Sequence, residues 1–122
     1  MKINNTLALR AAFHQEMAMM LQDDSTSKSD FKFSDRVHAK AKQMAKTSSL
    51  KEALKKAAEH HQQKYIAAKK EFEDKHQVSF EEYFELHEDD ILDSFKISDR
   101  DAEAALFGEP ELSLEENSSL EE

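Results

Sequence analysis

A single glycine and a single proline occur in this chain of 122 residues, and their scarcity is the strongest constraint on its fold. The tight turns that join β-strands need residues that accept a positive φ or hold a fixed φ, chiefly glycine and proline. Helix interiors need neither, and the abundant Ala, Lys, Glu, Gln, Leu and Met are good helix formers. The sequence therefore predicts an all-α protein.

The chain has the length of one domain but few large apolar side chains. Leu, Ile, Val and Phe make up about a fifth of it, near the border below which chains stop burying enough apolar surface to fold. Eight Phe and five Met add to this supply. We predict a thin core, which a second copy of the chain would help to complete, so a homodimer is one expectation.

Hydrophobic spacing and helix-capping residues predict a compact bundle of four helices plus a short fifth. The first helix begins at Asn5 or Thr6, and a polar loop occupies residues 23–30. The bundle is centred on a long helix near residues 50–76. Serines mark the starts of the later helices, two of them in capping boxes with a glutamate three residues on: Ser34, Ser49 with Glu52, Ser79 with Glu82, and Ser98.

Apolar stripes at helical spacing predict the core. Met44 is assigned to the inner face of the second helix, and Leu86 is expected to widen the apolar stripe of the fourth. The residues predicted to form the core are Phe13, Met17, Met20, Leu54, Tyr65, Phe72, Phe80, Phe84, Ile91 and Phe95.

The helical domain is predicted to span residues 1–108, because Gly108 suits the position after a helix end and Pro110 blocks continuation. Residues 109–122 contain no basic residue, and their composition predicts a disordered acidic tail.

Charge is strongly segregated along the chain. Residues 36–70 hold ten Lys or Arg and two acids, whereas residues 71–122 hold three basic residues and nineteen acids. The net charge of −9 at pH 7 conceals this division. Asymmetry of this kind bears on partners more than on the fold.

The acidic half predicts a non-catalytic module that binds a basic partner protein, as a small regulator, an inhibitor or an assembly chaperone. Leucines in the tail would add apolar contacts. The expected partner-binding residues are Glu81, Glu82, Glu85, Glu88, Asp89, Asp90, Asp93, Leu112 and Leu114.

The alternative is a nucleic-acid-binding regulator that uses the lysine-rich face of residues 36–70, since lysines suit phosphates. Its expected contact residues are Arg36, Lys40, Lys42, Lys46, Lys51, Lys55 and Lys56.

No pattern in the chain favours catalysis or a cofactor. Cysteine is absent, and no serine lies in a Gly-x-Ser-x-Gly setting. Glu73 and His76 form one Glu-x-x-His pair, whereas carboxylate-bridged di-iron bundles need two. We therefore expect no enzyme, no metal and no cofactor, and exposed or helix-capping histidines.

Membrane association is not expected, because no apolar run approaches the 18 residues of a spanning helix. No signal-peptide pattern is present at the start of the sequence, which favours a cytoplasmic location.

Overall fold

The computed structural model describes residues 6–26, 30–94 and 97–108, and these contain five helices and no strand. This confirms the predicted all-α bundle of four helices plus a short fifth. Phe95, Leu112, Leu114 and the rest of the predicted tail lie outside the described residues. The helices are α1 (Thr6–Ser25), α2 (Asp35–Ala45), α3 (Leu50–His76), α4 (Phe80–Asp93) and α5 (Asp99–Ala105).

The four predicted serines are the N-caps of α2 to α5. Each side chain accepts a hydrogen bond from a backbone N–H in the first turn of its helix, which satisfies one of the donors left unpaired there. The reciprocal capping box forms at Ser98 and Asp101. At the start of α3 the arrangement differs from the prediction, because the backbone N–H of Ser49 donates to the hydroxyl of Thr47.

The core is centred on α1 and α3, which form the largest helix–helix interface. Small side chains line much of it and let helix backbones approach each other. Alanines buried on these two helices are Ala8, Ala11, Ala12, Ala18, Ala53, Ala57, Ala58 and Ala68. Of the predicted core residues, Phe13, Met17, Leu54, Phe72, Phe80 and Ile91 are buried, and Met20, Tyr65 and Phe84 are partly buried against the core.

Two apolar residues assigned to inner faces are exposed instead. Met44 is 44% exposed, because α2 buries only the narrow face of Val37 and Ala41. Leu86 is 80% exposed. It precedes Ile91 by five residues, which at about 100° per residue places it roughly 140° around the helix from that buried side chain.

The connection from α1 to α2 is held by a buried carboxylate. Asp24 accepts hydrogen bonds from the backbone N–H of Phe33 at 2.9 Å and from Nε2 of His38 at 2.7 Å. The Phe31 and Phe33 rings meet edge to face, with centroids 4.9 Å apart, and Phe33 is buried. This cluster fixes where the chain turns back after α1. Helix α1 continues to Ser25, two residues beyond position 23, where the polar loop was predicted to begin.

Candidate functional site

The outer side of α4 is a continuous acidic surface. Glu82, Glu85, Asp89 and Asp93 recur at helical spacing and are all exposed. None of these four carboxylates forms an ion pair with a residue in the described part of the chain. Their charge is therefore turned to solvent. We call these four residues, together with Leu86, the α4 acidic face.

Leu86 lies in the middle of the α4 acidic face, with Glu82 one turn before it and Asp89 and Asp93 after it. It is more exposed than any other large apolar side chain in the described ranges. The next residue, His87, has φ −121° and ψ 22°, which lies outside the helical region and produces a kink in α4. An open depression lined by residues 85–90 lies at the kink. An apolar side chain thus protrudes from a carboxylate surface where the helix changes direction.

The other predicted acidic residues differ from those of the α4 acidic face. Glu81 forms an ion pair with Lys69 of α3, which lowers the pKa of the Glu81 carboxyl and raises the pKa of the Lys69 ammonium group. Asp90 is partly buried. Glu88 is exposed and lies near Glu16 of α1, where burial first and then the Glu88 charge raise the pKa of Glu16. Acidic residues of α4 therefore face both the bundle and the solvent.

The predicted basic surface on α2 and α3 is less uniform than the sequence suggests. Lys46, Lys51 and Lys55 are exposed, whereas Lys40 and Lys42 are half-buried. Lys56 pairs with Glu52 at 3.8 Å. Arg36 pairs with Glu103 of α5 at 3.0 Å. Since α5 packs on α2 and also carries exposed Asp99 and Asp101, it adds negative charge to one side of the basic surface.

Two histidines are buried in the core rather than exposed. His14 of α1 and His61 of α3 are fully buried, and their Nδ1 atoms lie 2.9 Å apart. The second ring nitrogen of His61 lies 2.7 Å from the carbonyl oxygen of Ala105, at the end of α5. His61 therefore caps the end of α5, and it does so from the interior of the bundle.

The Glu-x-x-His pair of α3 serves the local structure. The Glu73 carboxylate accepts from the first backbone N–H of α4, that of Phe80, at 2.8 Å. The His76 ring packs on Phe72, with ring centroids 4.8 Å apart. Within the described residues, no three His, Asp or Glu side chains come together in a way that could hold a metal ion.

Some signals for these arrangements are present in the sequence. His14 stands three residues before Met17 and seven before Leu21, so it falls on the buried side of α1. His61 lies between Ala58 and Tyr65 on the apolar stripe of α3. The spacing alone does not indicate that the two rings meet, because it carries no information about how α1 is placed along α3.

Comparisons with family models, with curated proteins and with solved structures find no match. None of the described helices is long and apolar enough to cross a membrane.

Proposed function

We propose that this protein is a non-catalytic binding module whose α4 acidic face engages a basic partner protein. The observation that carries the proposal is the position of Leu86, 80% exposed and surrounded by carboxylates. A large apolar side chain in water gains about 1.5–3 kcal/mol when a partner buries it fully. The carboxylates around it favour a partner whose apolar pocket is rimmed by Lys or Arg.

The two parts of the α4 acidic face would contribute differently to binding. Exposed charges at the rim of an interface chiefly accelerate encounter and select partners, and salt weakens their effect over a Debye length of about 8 Å. A central apolar anchor chiefly slows dissociation. A regulator, an inhibitor or an assembly chaperone for a basic protein would each use such a surface, with cytoplasmic action as the expectation.

Quantitative affinity capture from a soluble extract of the native host tests this proposal. We expect a basic protein to be retained by the full chain and to elute with salt. Leu86→Ser should lower the affinity of that purified partner at least tenfold, mainly through faster dissociation. The matched control is Ile66→Ser, which changes another exposed apolar residue, on α3, and should leave affinity within twofold.

A triple variant, Glu82→Lys with Glu85→Lys and Asp89→Lys, tests the charges separately. It should slow association and abolish the salt dependence of the association rate. Its control is the pair Glu59→Lys and Glu71→Lys, which reverses exposed charges on α3. Equal retention of every basic protein by the triple variant and the full chain would contradict the proposal.

Nucleic-acid binding through α2 and α3 is the second candidate, favoured by the exposed lysines Lys46, Lys51 and Lys55. It ranks lower because Arg36 and Lys56 are paired within the protein and α5 brings carboxylates alongside. Fluorescence anisotropy with duplex DNA and single-stranded RNA, from about 50 to 200 mM salt, distinguishes it. Binding that weakens steeply with salt, and that is lost in Lys51→Glu with Lys55→Glu, would favour this candidate over the first.

A further inference from the structure

The C-terminal end of α5 is held against the middle of α3 by two neighbouring histidines. Nε2 of His61, whose ring is fully buried, lies 2.7 Å from the carbonyl oxygen of Ala105. The His60 ring packs on Phe107, with ring centroids 5.9 Å apart, and its Nε2 lies 3.4 Å from the carbonyl oxygen of Gly108. The chain therefore leaves the described part of the bundle beside His60.

Lysines of α3 stand around this exit. Lys56 and Lys64 lie one turn before and one turn after His60, and both are exposed. Lys51 and Lys55 extend the positive charge toward the start of the helix. In its first 15 residues α3 thus carries four lysines and only two glutamates. We call these four residues the exit lysines.

Much of the charge of the exit lysines is available to a further partner. Lys51 and Lys55 form no ion pair with a residue in the described ranges. Lys56 pairs with Glu52 at 3.8 Å, between side chains that are 50% and 57% exposed. Water screens such a pair, so another carboxylate can replace Glu52. The helix beside the exit therefore presents positive charge to solvent.

The segment that follows the exit has the opposite charge and sufficient length. Residues 109–122, which lie outside the described ranges, contain six glutamates and no basic residue. Glu115 is seven residues beyond Gly108, and seven residues span up to about 25 Å. Lys51, the most distant exit lysine along the chain, is nine residues before His60 and thus about 14 Å from it along the helix axis. Every exit lysine lies within reach.

Other charged surfaces of α3 and α4 fit this segment less well. The α4 acidic face repels glutamates. In the second half of α3, Lys69 pairs with Glu81, and Lys70 pairs with Asp74 at 2.9 Å. The exit lysines are therefore the more favourable position for an acidic segment that starts at Gly108.

We propose that residues 109–122 bind back onto the exit lysines and compete there with any other polyanion. Each ion pair is exposed and individually weak. The tether offsets this weakness, because it holds six carboxylates at an effective concentration in the millimolar range. The contact is intramolecular and needs no partner at the α4 acidic face, so it stands or fails separately from the proposed function.

Paramagnetic relaxation enhancement in the full chain tests this contact. The sequence has no cysteine, so Ser118→Cys supplies a single site for a nitroxide label. From about 10 mM to about 1 M salt the Debye length falls from about 30 to about 3 Å. Over this range the enhancement at the amides of residues 51–56 should decrease at least threefold. An enhancement that salt does not change would come from the tether alone and would overturn the proposal.

Neutral variants of the labelled segment separate its charge from its length. Four substitutions remove most of its charge: Glu115→Gln, Glu116→Gln, Glu121→Gln and Glu122→Gln. At low salt this variant should show the weak enhancement that the labelled parent shows at high salt. Equal enhancement in the variant and the parent at low salt would also contradict the contact.

Matched substitutions on α3 locate the binding surface. Lys51→Gln with Lys55→Gln should lower the enhancement at residues 51–56 at least twofold at low salt. The control is Lys70→Gln with Lys75→Gln, which removes two exposed lysines near the other end of α3 and should leave the enhancement unchanged. Equal effects of the two pairs would mean that the segment responds to overall charge and has no site at the exit lysines.

Discussion

The α1–α3 interface and α4 show two different ways in which this chain uses a helix surface. In α1 and α3, alanines alternate with a few large side chains, and nearly every inward position is fully buried. In α4 only Phe80 and Ile91 are fully buried, and the backbone departs from helical geometry at His87. Small residues that let the backbones of α1 and α3 approach closely therefore form the centre of this thin core. Helix α4 is attached on one side and leaves an apolar residue, Leu86, in water on the other.

The largest expected effect comes from the attachment of α4 to α3. The buried Phe72 ring contacts Phe80 and Tyr83 of α4, with ring centroids 5.7 and 5.0 Å apart. Phe72→Ala should lower the free energy of unfolding by about 3–5 kcal/mol, because it removes apolar contact and leaves a cavity. Urea denaturation followed by circular dichroism measures this loss.

The control for Phe72→Ala is Leu86→Ala on the outer side of α4. It should change stability by no more than about 0.5 kcal/mol, because Leu86 has little packing to lose. Similar losses in the two variants would mean that Leu86 is packed in solution, and the contrast between the two sides of α4 would fail.

The next effect in size concerns the close packing of α3. Ala57 is 0% exposed, one turn before the buried His61. Ala57→Leu should destabilise the fold by about 1–3 kcal/mol through overpacking. Ala67→Leu makes the same substitution at an exposed position of the same helix and should stay within about 0.5 kcal/mol. Thermal unfolding of both variants measures the difference, and a stabilised Ala57→Leu protein would reveal unfilled space instead of close packing.

Much of the fold could be predicted from the sequence, because its determinants are local. Scarcity of glycine and proline disfavours the tight turns of β-sheets. The serines at positions 34, 49, 79 and 98 cap their helices through hydrogen bonds to residues only three positions further on. The apolar stripe of α3, which includes Leu54, Tyr65 and Phe72, also follows from spacing alone. These features need no knowledge of how the helices are arranged.

Less of the candidate site could be predicted, because it depends on which neighbour covers each residue. Leu86 belongs to the broad apolar pattern of α4, but only the packing of Phe80 and Ile91 shows that the bundle lies on the other side. Glu81 cannot be distinguished by sequence from Glu82, yet only the first reaches Lys69. Likewise, His14 and His61 lie 47 residues apart, and their contact exists only in three dimensions.

The smallest expected effect concerns the ion pair between Glu81 of α4 and Lys69 of α3. The Glu81 side chain is 61% exposed, so water screens the pair, and a double-mutant cycle of Glu81→Ala and Lys69→Ala should give a coupling of only about 0.2–1 kcal/mol. Because the pair lowers the pKa of Glu81, its contribution should be present above the usual glutamate pKa and decline as the pH falls below it. Added salt should reduce it further.

The matched reference is the double-mutant cycle for Lys70 and Asp74, two more exposed residues one turn apart on α3. A coupling above about 2 kcal/mol for Glu81 and Lys69 would contradict this prediction. It would show that this ion pair, and not the packing of Phe72 on Phe80 and Tyr83, positions α4 and orients the α4 acidic face.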